Sequence, residues 1–108
     1  MAQDFERNIA RNIGTTASTL RTADSDDALV GISLANTTAS QILVDVIIND
    51  ATNDHYIVKE APIPAGSSLQ ILDGGAKVVM QSGDILKIKS DTASSCDAWV
   101  SVVDSIST

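Results

Sequence analysis

The sequence offers one imidazole and one thiol, so nucleophilic chemistry through a histidine base must run through His55. Serine and threonine hydroxyls are abundant, but each needs a partner to take its proton. His55 lies in the polar run Asn53-Asp54-His55, and Cys96 stands at the head of the last apolar stretch. A Cys96–His55 pair could activate the sulfur. A buried structural thiol and a solvated loop histidine explain the same two residues more simply. Zinc sites are usually built from about four Cys or His ligands, and this chain has one of each. Calcium needs several converging oxygens. Asp24, Asp26 and Asp27 form one acidic cluster, and Asn49, Asp50, Asn53 and Asp54 form another. Neither has the EF-hand spacing with its distal Glu, and short polar side chains in such runs serve turns. Asp73-Gly74-Gly75-Ala76-Lys77 is glycine-rich but opens a strand pattern, so it lacks the helix N-terminus that cradles phosphate. The residues point to no catalytic group, no cofactor and no metal.

Composition narrows the partners. With 108 residues the chain fits one domain. Hydrophobic residues make up 44% and aromatic ones 3%, so Val, Ile, Leu and Ala must fill the interior. Val, Ile and Thr are stiff at χ1 and suit a pleated sheet. The formal net charge of −7, with nearly all excess acid after Arg21, argues against binding nucleic acid or an anionic membrane surface. A single cysteine excludes an internal disulfide, so the fold does not require an oxidising compartment. No stretch reaches the ~20 apolar residues that cross a bilayer as a helix. The charged start Met1–Arg7 lacks a signal-peptide core, so synthesis in a cytoplasm without a signal peptide is expected.

The elements that must carry these residues are mostly strands. Residues 1–14 are expected to form an N-terminal helical arm: Asp4 suits an N-cap, Gly14 suits the position after the last turn, and Phe5, Ile9 and Ile13 fall on one helical stripe. That arm would cover its own domain or dock on a neighbouring subunit. From residue 15 to 108 the period is two. Strands are expected over 16–23, 28–35, 42–48, 56–59, 68–72, 77–81, 84–90 and 97–105, with a tight turn at Asp73-Gly74-Gly75. Seven to eight short strands without helical crossovers predict an all-β fold, an antiparallel two-sheet β-sandwich resembling a jelly roll.

One feature exceeds what a single sandwich needs. Leu43 and Ile47 lie on the second face of an apolar strand, and Trp99 and Val103 do the same in the last one. A sheet with one solvated face would not place the only tryptophan there. Either these are central strands buried on both faces, or they meet another subunit; the enrichment of Trp at interfaces favours the second. Phe5, Ile9, Ile13, Leu43, Ile47, Trp99 and Val103 are therefore the candidate oligomer or partner interface.

The run Tyr56-Ile57-Val58-Lys59-Glu60-Ala61-Pro62-Ile63-Pro64-Ala65-Gly66-Ser67-Ser68-Leu69 resembles a segment of small β-structured virion proteins of marine tailed phages, including cyanophages. Gln81-Ser82-Gly83-Asp84-Ile85-Leu86, Arg11-Asn12-Ile13-Gly14-Thr15 and the Ala98–Val103 stretch are similar as well. The resemblance implies a particle component in the virion, made in the host cytoplasm: a capsid decoration, a head–tail junction protein or a tail component. Its partners would be other virion proteins and copies of itself, a homo-oligomer with a trimer among the closed arrangements. The family supplies no catalytic residues. A carbohydrate- or receptor-binding β-sandwich module of a tail fibre is the alternative, disfavoured because sugar platforms use exposed aromatics and here only Phe5, Tyr56 and Trp99 exist.

Overall fold

A computed structural model describes residues 4–104 of the chain. Eight strands occur among them: β1 (Asp4–Ile13), β2 (Ser18–Thr22), β3 (Asp27–Asn36), β4 (Ile42–Asn49), β5 (Asp54–Ile63), β6 (Ser68–Met80), β7 (Ile85–Ser90) and β8 (Cys96–Asp104). They form two four-stranded sheets, β1-β8-β3-β6 and β2-β7-β4-β5, with every pairing antiparallel. Consecutive strands repeatedly change sheet, and this order is that of a jelly roll. The expected two-sheet fold is present.

Alternation builds the core. Ile32 and Leu34 of β3, Ile42, Val44 and Val46 of β4, Leu86 and Ile88 of β7, and Val100 and Val102 of β8 are buried between the sheets. No aromatic side chain joins that cluster. β-branched and leucine side chains fill the gap, as the composition requires.

Three expectations are corrected. Residues 4–13 form a strand, and no helix occurs among the described residues. The spacing of Phe5, Ile9 and Ile13 fits a period of two as well as a helical one, and the free edge of β8 decides. There β1 pairs in unbroken register from Asp4↔Asp104 to Ala10↔Ala98. Residues 1–3 of the expected arm, and the end of the last strand at Ser105, lie outside the described residues. The second correction concerns Asp73-Gly74-Gly75, which makes no hairpin. The strand continues as β6, and Gly31↔Asp73 followed by Leu29↔Val78 marks a large irregularity in its ladder with β3. β3 has ten residues and pairs with both halves, so the glycines fall within this break in the ladder instead of reversing the chain. β5 likewise runs past its expected end at Lys59 to Ile63. It is an edge strand, where Pro62 need not donate to a second neighbour.

Buried polar groups tie the loops at one end. The Asn36 side chain donates to the carbonyl oxygens of Ser40 (2.7 Å), Ile63 (3.0 Å) and Pro64 (3.2 Å). Its Oδ1 accepts from the Thr38 amide (2.9 Å) and the Thr38 hydroxyl (2.7 Å). Ser90 and Ser95 share a buried hydroxyl bond of 2.6 Å, and Ser95 donates onward to the Thr92 carbonyl (2.7 Å). Gly14 lies against this last loop: a Cβ added there would come within 3.2 Å of the Ser94 backbone nitrogen, which makes glycine the residue that fits. Removing Asn36 leaves the buried Ile63 carbonyl bond unmade and takes a partner from the part-buried Ser40 and Pro64 carbonyls and the Thr38 amide. Asn36→Ala is expected to lower the unfolding free energy by about 1–3 kcal/mol in urea titration; an unchanged midpoint would contradict the role given to this side chain.

Candidate functional site

Among the described residues, the most exposed large apolar side chains gather on the outer face of the β1-β8-β3-β6 sheet. In β1 the odd-numbered residues Phe5, Arg7 and Ile9 point outward, while Ala10 packs on the core. Their neighbours across the ladder on β8 are Val103, Ser101 and Trp99. One row of paired residues runs Phe5, Val103, Ala28, Val79; another runs Ile9, Trp99, Ser33, Gln70. Phe5 is 84% exposed, Val79 59%, Ile9 52% and Trp99 51%. Contiguous apolar exposure of this kind accompanies protein-contact surfaces, membrane-contact surfaces and ligand grooves, which makes this face the candidate site. Between the rows runs a third, Arg7, Ser101 and Gly31. Arg7 folds its guanidinium over the Trp99 ring, 5.2 Å from the centroid. Beside the indole a groove of about 290 Å³ is lined by Ile9, Ala10, Arg11, Asp97, Ala98 and Trp99.

The structure divides the seven residues that the sequence singled out. Phe5, Ile9, Trp99 and half-buried Val103 come together on this face. Ile13 does not join them. Asn12 adopts a positive φ of 56°, and the pairing steps from Ala10↔Ala98 to Ile13↔Cys96, so one extra residue turns Ile13 into the core. Leu43 and Ile47 lie on the other sheet. Leu43 is half-buried, and Ile47 is buried, with Tyr56 and Lys87 as its cross-strand neighbours. Long side chains on either side can cover a lone apolar residue. Sequence reasoning missed Val79, whose strand was read as ending a hairpin, and it missed Arg7 as the cover of the indole.

A second feature that no short motif announces is the setting of Arg21. From β2 it reaches across the sandwich to Asp27 Oδ2 (2.8 Å), Glu6 Oε1 (3.1 Å), Asn8 Oδ1 (3.1 Å) and Asp104 Oδ1 (3.5 Å). Burial works against its charge, but the bonds to Asp27 and Glu6 outweigh that and hold its pKa above the ordinary value. Glu6, Asn8, Asp24 and Asp104 also border a polar cleft of about 410 Å³ beside it. The cation there is already matched by carboxylates, so the cluster reads as a structural clasp between the sheets.

The groups with chemical potential are placed apart. Cys96 is buried in the first sheet, paired with Ile13 and Asn36, while His55 is exposed in the second, paired with Ile48. Burial pushes the Cys96 thiol up to about 11, with the Asp97 charge adding to it. His55 Nε2 lies 3.0 Å from Asp50 Oδ2. Asp50 also accepts the amides of Asn53 (2.7 Å) and Thr52 (2.9 Å). The Asn53 amide first, then His55 and the Thr52 amide, lower its pKa to about 2. This is a loop clasp. Asp54 accepts from the Asn49 side-chain amide (2.6 Å), and Asp27 bonds to Arg21 and Ser25. The acidic clusters thus serve turns and ion pairs, and no group of three or more His, Cys, Asp or Glu converges among the described residues.

No family model matches the sequence, and no curated protein matches it. Solved structures do share the fold. One is a pentameric capsid protein isolated from metagenomic phage sequences, with a TM-score of 0.50 and 14% identity over 93% of this chain and 62% of that one. A second structure described in the same terms has the same TM-score and identity and is covered over 59% of its length. The T13 IBDV viral particle gives a TM-score of 0.56 and 14% identity over 95% of this chain and 31% of that one. The chain therefore spans less than two thirds of the length of these structures, and the likeness at this identity is one of fold.

Two outcomes follow from the placement of the ionisable groups. The native protein at pH 8 should leave Cys96 unmodified by a disulfide reagent and react only once unfolded; rapid native labelling would show an open interior. The Asp50 carboxylate is lower in the folded state than its unfolded value near ~3.9, so its contribution holds above that value and is lost as pH falls toward 2. The amide shifts of Thr52 and Asn53 should titrate with a midpoint near 2 and lose that step in Asp50→Asn; a midpoint near ~4 would mean that the clasp does not form.

Proposed function

We propose that this chain is a non-enzymatic structural protein of a virus particle, a phage building block whose copies pack through the outer face of the β1-β8-β3-β6 sheet. The observation that carries this reading is the exposure of Phe5, Ile9, Val79 and Trp99 together on one face. Solvent exposure of so much apolar surface favours covering it, and burial of that area drives assembly without chemistry. The fold shared with capsid proteins supports the same reading, as does a pentameric protein among those neighbours, which fits copies assembling with copies. Localisation in the virion follows from this proposal, as does a homo-oligomeric state with other virion proteins as further partners. The finer assignments, to capsid decoration, head–tail junction or tail of a marine phage, rest on the resemblance of the Tyr56–Leu69 run.

One observation favours a second reading, a carbohydrate- or receptor-binding module. Trp99 is exposed beside a groove that also holds Arg11 and Asp97. Against it, Arg7 lies over the indole ring where a sugar would stack.

Mass spectrometry of purified particles should find the chain in many copies, and its absence from particles would overturn the structural reading. Trp99→Asp is expected to lower the assembly mass in light scattering or to drive aggregation; an unchanged mass would remove this face from the interface.

A further inference from the structure

We infer that two copies of this chain join edge to edge through β1, antiparallel about Arg7, to make one continuous eight-stranded sheet. The inference rests on the self-assembly proposed above and names a contact through the backbone edge of β1, which shares Phe5 and Ile9 with the outer face but not Val79 or Trp99.

A sheet edge is a template for another strand unless something spoils it. The four edge strands are β1, β6, β2 and β5. β2 has five residues and a register break between Thr19 and Arg21. β5 carries Pro62 and two register breaks, with Glu60 at a positive φ of 53°. β6 has the large irregularity between Asp73 and Val78. Each of these three is blunted by a bulge, a proline or shortness. β1 is different: its pairing is unbroken from Asp4 to Ala10, and that stretch contains no Pro, Gly or Lys. The bulge at Asn12 comes only afterwards. Up to Ala10, β1 is thus the longest edge among the described residues that no bulge or proline interrupts; of its charged residues, Glu6 is bonded to Arg21 and Arg7 is drawn over Trp99.

The identity of the occupant comes from the pattern of β1 itself. Opposite residues in an antiparallel ladder point to the same side, so only pairings of like parity keep both apolar faces on one side of the joined sheet. With Arg7 on the two-fold axis, Phe5 of one copy meets Ile9 of the other, and Ile9 meets Phe5. Aromatic–β-branched pairs are among the favourable cross-strand combinations. Glu6 falls opposite Asn8, and both already bond to Arg21 of their own copy, so no new like-charge contact arises on the inner side. The two Arg7 side chains would repel at the axis if they reached along the edge. Each is instead drawn back over Trp99, which stands on β8, away from the free edge. Moving the axis one residue toward the N-terminus sets Glu6 against Glu6. Moving it one residue the other way sets Phe5 against Arg11. The Arg7-centred register is the one that avoids both.

Cysteine cross-linking tests the register directly. Directly opposed residues on antiparallel strands have Cα atoms about 4.5–5.5 Å apart, within the range a disulfide spans. Arg7→Cys should form a covalent dimer under mild oxidation by copper phenanthroline, and a mixture of Phe5→Cys and Ile9→Cys should form the heterodimer in excess of either homodimer. The native protein, with Cys96 buried, is the control and should not cross-link. Arg7→Cys combined with Trp99→Asp should still cross-link, since the indole is not on the seam. Ile9→Lys should abolish the edge contact while keeping a cooperative melt. An oligomer that survives Ile9→Lys and fails to cross-link at residue 7 would overturn the edge contact and leave assembly by another face standing. A native protein that stays a single copy at high concentration would overturn both.

Discussion

Arg21 is the cation on which the placement of the strands depends. Its guanidinium is nearly enclosed, with the fully buried Asp27 carboxylate as its closest partner at 2.8 Å. An ion removed from water must be matched closely or it costs several kcal/mol, roughly 3–5 when one partner of a buried pair is lost. Here the matching groups come from β1, β3 and the end of β8, while the cation comes from β2 in the opposite sheet. The clasp therefore fixes more than an ion pair. It holds the edge strand β1 over β2 and closes that end of the sandwich, where the chain has no aromatic side chain to fill space. Glu6 and Asn8 face inward to reach Arg21, and in a strand that commits Phe5, Arg7 and Ile9 to the outside. The exposed apolar face is thus tied to an electrostatic requirement on the other side of the same strand.

Much of this fold could be read from residue order. β3 and β4 alternate clearly, the polar runs at 24–26 and 37–41 do turn, and Ser82-Gly83 reverses the chain with Gly83 at a φ of 96°. The β-branched content and lack of crossovers were enough for two stacked sheets. The first element was not legible because residues four apart share a face in a helix and in a strand alike. Asp4 and Gly14 looked like helix caps, yet the choice was made by β8, whose free edge lies far along the chain. The glycines after Asp73 failed for a related reason: a turn and a bulge use the same residues, and the length of the opposing β3 determines which one forms.

The candidate surface was half legible. An outward tryptophan in a strand that also feeds the core identified Trp99 and Val103 without any structure. Phe5 and Ile9 were found for the wrong secondary structure, and Ile13 was included because a regular stripe cannot foresee a bulge. Ile47 was read as surplus because single-sequence alternation does not see what stands beside it across the ladder. Arg21 went unnoticed, since four of its bonded partners are separated from it by between 6 and 83 positions in the chain.

The extra residue at Asn12 has a consequence for how this chain can vary. Strand faces are assigned by parity, and the bulge is where the parity of β1 is reset before the chain enters the loop to β2. Losing a single residue there would invert every position upstream, sending Phe5 and Ile9 inward and turning Glu6 and Asn8 away from Arg21. Point substitutions along β1 can therefore drift one at a time, whereas a one-codon deletion at this point would exchange the strand's two faces in a single step.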